Sequence, residues 1–379
     1  REDRYTENGV PVVLPEDFYS TEVYTDKMIE YLSANEGDGV PFFAWYTPTA
    51  PHWPLQVPEE YMYRYDGVYD TGYEDLLRRR LQRADEMGVL PPGISMDGYT
   101  RTTETWDMLS VEQQRTQARK MELYAAMVEN LDYHVGRLIQ YLRESGQYEN
   151  TLIMFSSDNG ADTSVRSVRG EIDNSYENLG RASSYVAVEH WGDVHSAPYR
   201  WHKGVATEGG LRVPAFIHHN SVRNVGGADN RFLTALDLMP TFLELAGTEH
   251  PGTEYQGRTV EVSRGHSFVD LLTSEPTIEH DVGPEAVWYL DALYRDQWKI
   301  VRVTDRWGGT GWELYDLRSD PSETTNLSDA HAALRDELVR EWQRIADETG
   351  AQLDFAIRCG RDRLSLARSG CEGPTAENR

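Results

Sequence analysis

The stretch TLIMFSSDNGAD, Thr151–Asp162, is the key to the fold of this chain. Its apolar run, Leu152–Phe155, is typical of a strand buried on both faces, as in parallel sheets covered by helices. Asp158, Asn159 and Gly160 follow where this strand should end. Such residues favour a turn, because they tolerate left-handed dihedral angles and bond their own backbone. A carboxylate and an amide oxygen at a strand's carboxyl end are also suitable ligands for Ca²⁺ or Mg²⁺. The residues alone leave both interpretations open.

The composition of the 379 residues argues against several classes of protein. Hydrophobic residues make up 39% of the chain and the mean hydropathy is -0.62. No apolar run approaches the roughly 18 residues that a membrane span needs. The net charge of -26 disfavours nucleic acid or an anionic membrane as a partner, since both require a basic face. Lysine is scarce, so the position of each one is informative; the four are Lys27, Lys120, Lys203 and Lys299.

The first two thirds of the chain predict an α/β domain with a mainly parallel sheet. Ser110 and Gln113 form a capping-box pattern that opens a long amphipathic helix, and Gly146 is a suitable stop. The TLIMF run follows this helix directly, an order that favours a parallel sheet with right-handed crossovers. Further strands are predicted at Pro41–Thr47 and Val213–His219. Residues 65–105 are polar and poorly periodic, which predicts a surface excursion.

From about Val260 the pattern changes. The segments AVWYL, WKIVRV and WELYDL predict antiparallel strands, and Ala332–Thr349 predicts an amphipathic helix. We therefore predict a large α/β unit over residues 1–259 and a small α+β domain over residues 260–379. The two cysteines, Cys359 and Cys371, have no metal-ligand spacing. A local disulfide and two free thiols both remain open for them.

Two further residues are candidates for a functional site. His52, in APHWPLQ, lies between Pro51 and the pair Trp53-Pro54, so its position should be fixed. It is either a structural loop residue or a general acid or anion donor at the end of a strand. Lys203, in WHKGVATEGGLRVP, precedes a Gly-Gly turn that leads into a strand. It is either a solvated surface charge or a point charge that holds an anion.

The order and wording of six segments resemble the sulfatase family. These segments are PFFAWYTPTAPHWPLQ, AAMVENLDYHVGRLIQYL, IMFSSDNGAD, HKGVATEGGLRVPAFI, DLMPTFLELAG and WELYDLRSDPSETTNL. The chain is most similar to bacterial arylsulfatases of the alkaline-phosphatase-like superfamily, a likeness that NSYENLGRASSYV also carries. The resemblance extends to about Gly350. It implies a partial alkaline-phosphatase-like α/β sandwich with a mainly parallel sheet, followed by a small α+β domain with a short antiparallel sheet.

The resemblance also implies roles for the candidate residues. Asp158 and Asn159 match the family's DNG pair, which ligates a divalent cation, usually Ca²⁺. His52 matches the histidine that protonates the leaving-group oxygen or holds the sulfate, and Lys203 matches the lysine that contacts the sulfate oxygens. The implied activity is hydrolysis of a small-molecule sulfate monoester by a formylglycine nucleophile. An anionic substrate approaching so acidic a protein requires this local positive charge.

One family motif is absent from the part of the chain before APHWPLQ, where the family carries it. Formylglycine is made from the Cys or Ser of a C/S-x-P-x-R motif, whereas Cys359 lies in RCGRD and Cys371 in GCEGP, and the match SAPYR, Ser196–Arg200, lies after the DNG pair. The N-terminal Asp-Asp ligands and the GKWH segment are also missing. We therefore expect the C-terminal portion of a sulfatase, with residues 1–259 as the remainder of the catalytic domain, and no activity of this portion alone. The alternatives are a phosphodiesterase or phosphonate monoester hydrolase of the same superfamily, or a non-catalytic anion-binding remnant.

Overall fold

The structure, a computed structural model, describes residues 5–91, 94, 105–163, 172–222, 226–273, 286–289, 291–303 and 311–349. Within these residues the α-helices are α1 (Ser20–Ala34), α2 (Gly72–Glu86), α3 (Val111–Glu144), α4 (Trp191–Ser196), α5 (Glu208–Leu211), α6 (Leu238–Leu245), α7 (Val269–Thr273) and α8 (Ala332–Thr349). The strands are β1 (Thr6–Glu7), β2 (Val10–Pro11), β3 (Ile153–Ser156), β4 (Ala215–His218), β5 (Glu254–Tyr255), β6 (Arg258–Thr259), β7 (Val287–Tyr289), β8 (Ala292–Arg295), β9 (Trp298–Val303) and β10 (Gly311–Asp316). None of the described helices is long and apolar enough to cross a bilayer.

The long helix α3 begins and ends as predicted. The Ser110 hydroxyl accepts from the Gln113 backbone N–H at 3.3 Å, and the Gln113 side chain accepts from the Ser110 N–H at 2.8 Å. This reciprocal cap satisfies two of the free donors at the helix N-terminus. Gly146 lies just past the C-terminus with φ of +72°, a conformation that glycine adopts without strain.

Helix α2 corrects the prediction of a surface excursion over residues 65–105. Its apolar residues recur at helical spacing and are buried: Tyr73, Leu76, Leu77 and Leu81. Tyr73 packs edge-on against Trp106 at 4.9 Å and Trp191 at 4.6 Å between ring centroids. The apolar stripe was missed because arginines and carboxylates fill the rest of the helix and lower its mean hydropathy.

The pairing of β3 with β4 also differs from the prediction. Ile153 pairs with His218 and Ser156 with Ala215, so these two strands run antiparallel, not parallel. The order of helices and strands along the chain does not determine which strand lies beside β3 or in which direction that neighbour runs. Pro41–Thr47, predicted as a strand, forms no strand in the described residues.

The C-terminal part has the antiparallel sheet predicted from the sequence. Its order is β10-β9-β8-β7, and every neighbouring pair is antiparallel. Helix α8 matches the predicted bounds, and it packs on one face of the sheet through Leu338 and Trp342. The other face packs against Trp201 and its neighbours from the segment before β4. The division at residue 259 stays a prediction, and Cys359 and Cys371 lie outside the described residues.

Apolar side chains on β3, on β4 and in the extended segment before His52 are exposed. Phe155 and Phe216 stack at 5.1 Å and are 38% and 56% exposed. Phe43 and Trp45 are 69% and 63% exposed. Contiguous apolar surface of this kind is uncommon on soluble proteins. The described residues therefore leave this face of the β3–β4 pair without a covering layer.

Candidate active site

The Asp158-Asn159 pair lies directly beyond the carboxyl end of β3. Asp158 is exposed and Asn159 is half-buried. The backbone N–H of Ser157 donates to the Pro214 carbonyl at 3.2 Å, and that of Gly160 donates to the Gly210 carbonyl at 3.2 Å. These bonds continue the pairing of β3 past its last residue. They hold the pair at the edge of the sheet where the sequence predicts it.

Lys203 lies in a compact loop next to this pair. We call residues 200–212 the lysine loop; it ends in the short helix α5 and leads into β4. The backbone N–H of Lys203 donates to the Ala161 carbonyl at 2.8 Å. Antiparallel pairing explains this proximity, because it brings the residues before β4 to the same edge as the residues after β3. Parallel pairing would have placed Lys203 at the opposite edge.

Lys203 differs from the other three lysines in its electrostatic surroundings. Lys27 pairs with Glu7 and Glu30. Lys120 lies 2.5 Å from a Glu189 oxygen, and Lys299 lies 2.8 Å from oxygens of two glutamates. Among the described residues no carboxylate lies within ion-pair distance of Lys203, which is half-buried. Its charge is therefore available to an anion that enters from outside.

His52 is held by its neighbour. Its Nδ1 lies 2.7 Å from the Trp53 carbonyl oxygen, and because a carbonyl can only accept, Nδ1 carries the hydrogen. The remaining nitrogen, Nε2, is then the one that can exchange a proton. The Trp53 indole donates to the Asp162 carboxylate at 3.0 Å and contacts the Tyr185 ring at 5.4 Å. The His52 segment is thereby fastened to the residues that follow Asp158-Asn159.

The four candidate residues border one cleft: His52, Asp158, Asn159 and Lys203. Its volume is about 4200 Å³, whereas a site for a small ligand usually measures roughly 300–1,000 Å³. The cleft is lined on its apolar side by the uncovered residues of β3 and β4. Its shape therefore does not define a substrate.

The residues at this edge fit part of a divalent-cation site. Asp158 and Asn159 offer a carboxylate and an amide oxygen, the hard donors that Ca²⁺ and Mg²⁺ prefer. In the part of the chain that the structure describes, no three His, Cys, Asp or Glu side chains are grouped to hold a metal ion. Ca²⁺ takes about six to eight oxygens. The pair can therefore supply a minority of the ligands.

A buried charged cluster behind the lysine loop was not predicted from the sequence. We call it the Lys299 cluster; its members are Lys299, Glu208, Glu323 and Tyr294. Lys299 donates to Glu208 at 2.8 Å and pairs with Glu323 at 2.8 Å. The Tyr294 hydroxyl donates to Glu208 at 2.6 Å. Burial raises the pKa of Glu323, and Lys299 partly opposes this shift. Burial, together with the nearby Glu208 and Glu323 carboxylates, raises the pKa of Tyr294 well above its usual range.

The sequence carried one signal for this cluster. Lys299 is one of only four lysines and interrupts the apolar pattern of WKIVRV, yet its side chain is 0% exposed. A lysine at an inward strand position requires a carboxylate partner. The partners themselves lie far away in sequence, at positions 208 and 323, so the pattern of one strand could not identify them.

The sequence pattern of the sulfatase family matches residues 1–248, and that of the N-sulphoglucosamine sulphohydrolase C-terminal region matches residues 199–348. An uncharacterised sulfatase of Schizosaccharomyces pombe is 38% identical over 364 residues, covering 91% of this chain and 65% of the relative. An arylsulfatase of Klebsiella aerogenes is 35% identical over 254 residues, covering 65% of this chain and 54% of the relative. The chain thus spans about half to two thirds of the length of these relatives.

A solved structure shows the same fold. The crystal structure of Ps i-CgsB superposes with a TM-score of 0.57 at 22% identity, covering 89% of this chain and 57% of that chain. At this identity the likeness concerns the fold alone, and it agrees with the predicted alkaline-phosphatase-like α/β class. The family pattern covers well over half of the 379 residues. The chain belongs to the sulfatase family.

Proposed function

We propose that the protein containing this chain hydrolyses small-molecule sulfate monoesters, in the manner of an arylsulfatase. One observation carries the proposal: Lys203, which forms no ion pair with any residue that the structure describes, is bonded through its backbone to the segment that follows Asp158-Asn159. Lys203 thus places a positive charge beside the candidate metal-binding pair in a chain of net charge -26. It forms a local site for a group with concentrated negative charge, such as a sulfate ester. Membership of the sulfatase family supports this substrate class.

Each candidate residue has a chemical role in this proposal. Lys203 supplies a point charge to the sulfate oxygens, and its charge matters most where negative charge develops during the reaction. His52 is held by its Nδ1 hydrogen bond, and in the form of the ring that is protonated on both nitrogens it gives the Nε2 proton to the leaving-group oxygen as the sulfur–oxygen bond breaks. Asp158 and Asn159 would hold the divalent cation, Ca²⁺ or another. When bound, that cation withdraws negative charge from the sulfate oxygens.

We propose that residues 1–379 do not supply the nucleophile. Formylglycine requires a C/S-x-P-x-R motif; neither Cys359 nor Cys371 lies in one, and the match SAPYR, Ser196–Arg200, lies after Asp158-Asn159 and not before the APHWP segment, where the family carries the motif. Loss of the nucleophile from a catalytic set typically costs several orders of magnitude in rate. We therefore propose that residues 1–379, expressed alone, give no sustained turnover of a sulfate ester.

A rate comparison tests the proposed function. The protein is expressed from the complete reading frame that contains residues 1–379 and is assayed on an aryl sulfate and on an aryl phosphate diester. We expect a higher kcat/KM for the sulfate, a large loss in Lys203→Ala, and little change in Lys27→Ala, a lysine paired with Glu7 on the surface. A higher kcat/KM for the diester would favour the phosphodiesterase alternative. Binding of sulfate without turnover would favour a non-catalytic remnant.

A further inference from the structure

The lysine loop is attached near both ends to the C-terminal sheet. At its start, the Arg200 guanidinium donates to Glu313 and to the Tyr315 hydroxyl on β10, both at 2.6 Å. Near its end, Glu208 accepts from Lys299 on β9 and from Tyr294 on β8. Lys203 lies between these two attachments. Lys203, the candidate anion-binding residue, thus lies in a segment whose two ends are bonded to the C-terminal sheet.

Glu208 is held through its backbone as well as through its side chain. Besides its side-chain contacts, its backbone N–H donates to the Glu323 carboxylate at 2.7 Å. Lys299 pairs with both carboxylates, and the side chains of the three residues are almost completely buried. Removing one partner of a buried charged set leaves uncompensated charge, so such a set resists any displacement of its members. Glu208 is therefore held firmly in both its side chain and its backbone.

The loop between the attachments cannot relax independently. The Gly209 N–H donates to the Arg200 carbonyl at 2.9 Å, which closes the loop on itself. A Cβ atom at Gly209 would lie 2.1 Å from the Trp201 carbonyl oxygen, and one at Gly210 would lie 2.0 Å from that of Val205. Such close backbone packing transmits a shift at Glu208 directly to the turn that carries Lys203.

We propose that Lys299 is a positioning residue for the sulfatase reaction: through Glu208 and Glu323, it holds the lysine loop so that Lys203 faces the Asp158-Asn159 edge. This inference rests on the proposed role of Lys203. It assigns the C-terminal sheet a part in the chemistry, because Lys299 lies on β9. Displacing a catalytic group by about 1 Å can lower a rate by as much as about 100-fold. Removal of Lys299 should therefore lower the rate by displacing Lys203.

A double-mutant cycle in the protein from the complete reading frame tests this inference. We expect Lys299→Met to lower kcat/KM by about 10-fold to 100-fold when Lys203 is present. In a Lys203→Ala background the same substitution should lower kcat/KM by less than about threefold, because the group that it positions is gone. Arg119→Met is the matched control, because it breaks another buried pair, with Glu122, on helix α3. Its effect should be the same in both backgrounds.

Three outcomes are distinguishable. Equal losses from Lys299→Met in the two backgrounds would overturn the inference, since the cluster would then support folding only. If Lys203→Ala alone left kcat/KM unchanged, the proposed role of Lys203 in turnover would be wrong, and with it the role of Lys299 that rests on it. Should Lys299→Met not fold, Glu208→Gln replaces it in the same cycle. It removes one of the two charges that Lys299 pairs with but keeps the side chain's size, and the same non-additivity is expected.

Discussion

The backbone N–H of Lys203 donates a 2.8 Å hydrogen bond to the carbonyl oxygen of Ala161, two residues beyond Asn159. This bond joins the start of the lysine loop to the end of the β3 extension. It exists because β3 and β4 run antiparallel, which turns the loop back over the strand end. The position of Lys203 beside Asp158-Asn159 is therefore a consequence of strand direction and not of closeness in sequence.

Gly160 should tolerate no side chain. Its Cβ atom would lie 1.9 Å from the Gly209 carbonyl oxygen, a backbone atom that cannot move without shifting the lysine loop. We expect Gly160→Ala to lower the free energy of unfolding by about 1–3 kcal/mol, as overpacking does. The matched control is Gly136→Ala in helix α3, where a Cβ meets nothing within 4 Å. It should stabilise by about 0.5–1 kcal/mol. Urea unfolding measures both, and an equal effect of the two would contradict the packing described.

His52 should affect turnover more than stability. The side chain is exposed, so its removal costs little packing, but Nε2 is the proposed proton donor. In the protein from the complete reading frame we expect His52→Ala to lower kcat/KM by about 100-fold to 10,000-fold. His331→Ala, at another exposed histidine, should leave kcat/KM unchanged. A lower melting temperature with normal turnover for His52→Ala would instead indicate a structural loop residue.

Residues 1–379 alone should bind Ca²⁺ weakly. Asp158 and Asn159 provide two of the about six to eight oxygens that the ion takes. We expect a dissociation constant of about 1 mM or higher by titration calorimetry. Asp158→Ala should abolish the remaining signal, whereas Asp85→Ala, at an exposed position of helix α2, should not. Tight stoichiometric binding would mean that other ligands complete the site.

The Lys299 cluster should make stability depend on pH. Because the pKa of Glu323 is raised from its ordinary value of 4.5, the folded protein binds this proton more tightly than the unfolded chain does. The contribution of Glu323 is therefore most favourable below pH 4.5 and is lost as the pH rises through its folded pKa. The Glu323→Gln variant cannot titrate at this position, so it does not lose this contribution as the pH rises. The difference in free energy of unfolding, variant minus wild type, should therefore increase with pH, by about 1.4 kcal/mol per unit of the pKa shift.

Urea unfolding of the two proteins between about pH 4 and pH 8 measures this difference, over the range where an ordinary and a raised carboxyl pKa lie. Glu249→Gln, at an exposed glutamate, is the control for the substitution itself. A Glu323→Gln difference that stayed flat, or fell as the pH rose, would contradict the burial of an unfavourable charge at this position.

The sequence predicted the features whose causes are local. Ser110 and Gln113 cap a helix with residues three positions apart, and the alternation in Trp298–Val303 reflects one strand's own two faces. The direction of β4 beside β3, and the partners of Lys299, depend on contacts between residues far apart in the chain. No periodicity encodes such contacts. For the site, the resemblance identified the residue types, while the structure showed how Lys203 reaches the strand end.

Chemical labelling of lysines tests the central claim most directly, because the chain has only four of them. The protein from the complete reading frame is acetylated briefly with and without inorganic sulfate, and each lysine is quantified by mass spectrometry. Lys120 and Lys299 are buried, while Lys27 is half-buried like Lys203 and serves as the internal control. We predict that sulfate slows the labelling of Lys203 severalfold and leaves that of Lys27 unchanged. Equal labelling of Lys203 with and without saturating sulfate would contradict the claim that its charge receives the sulfate group.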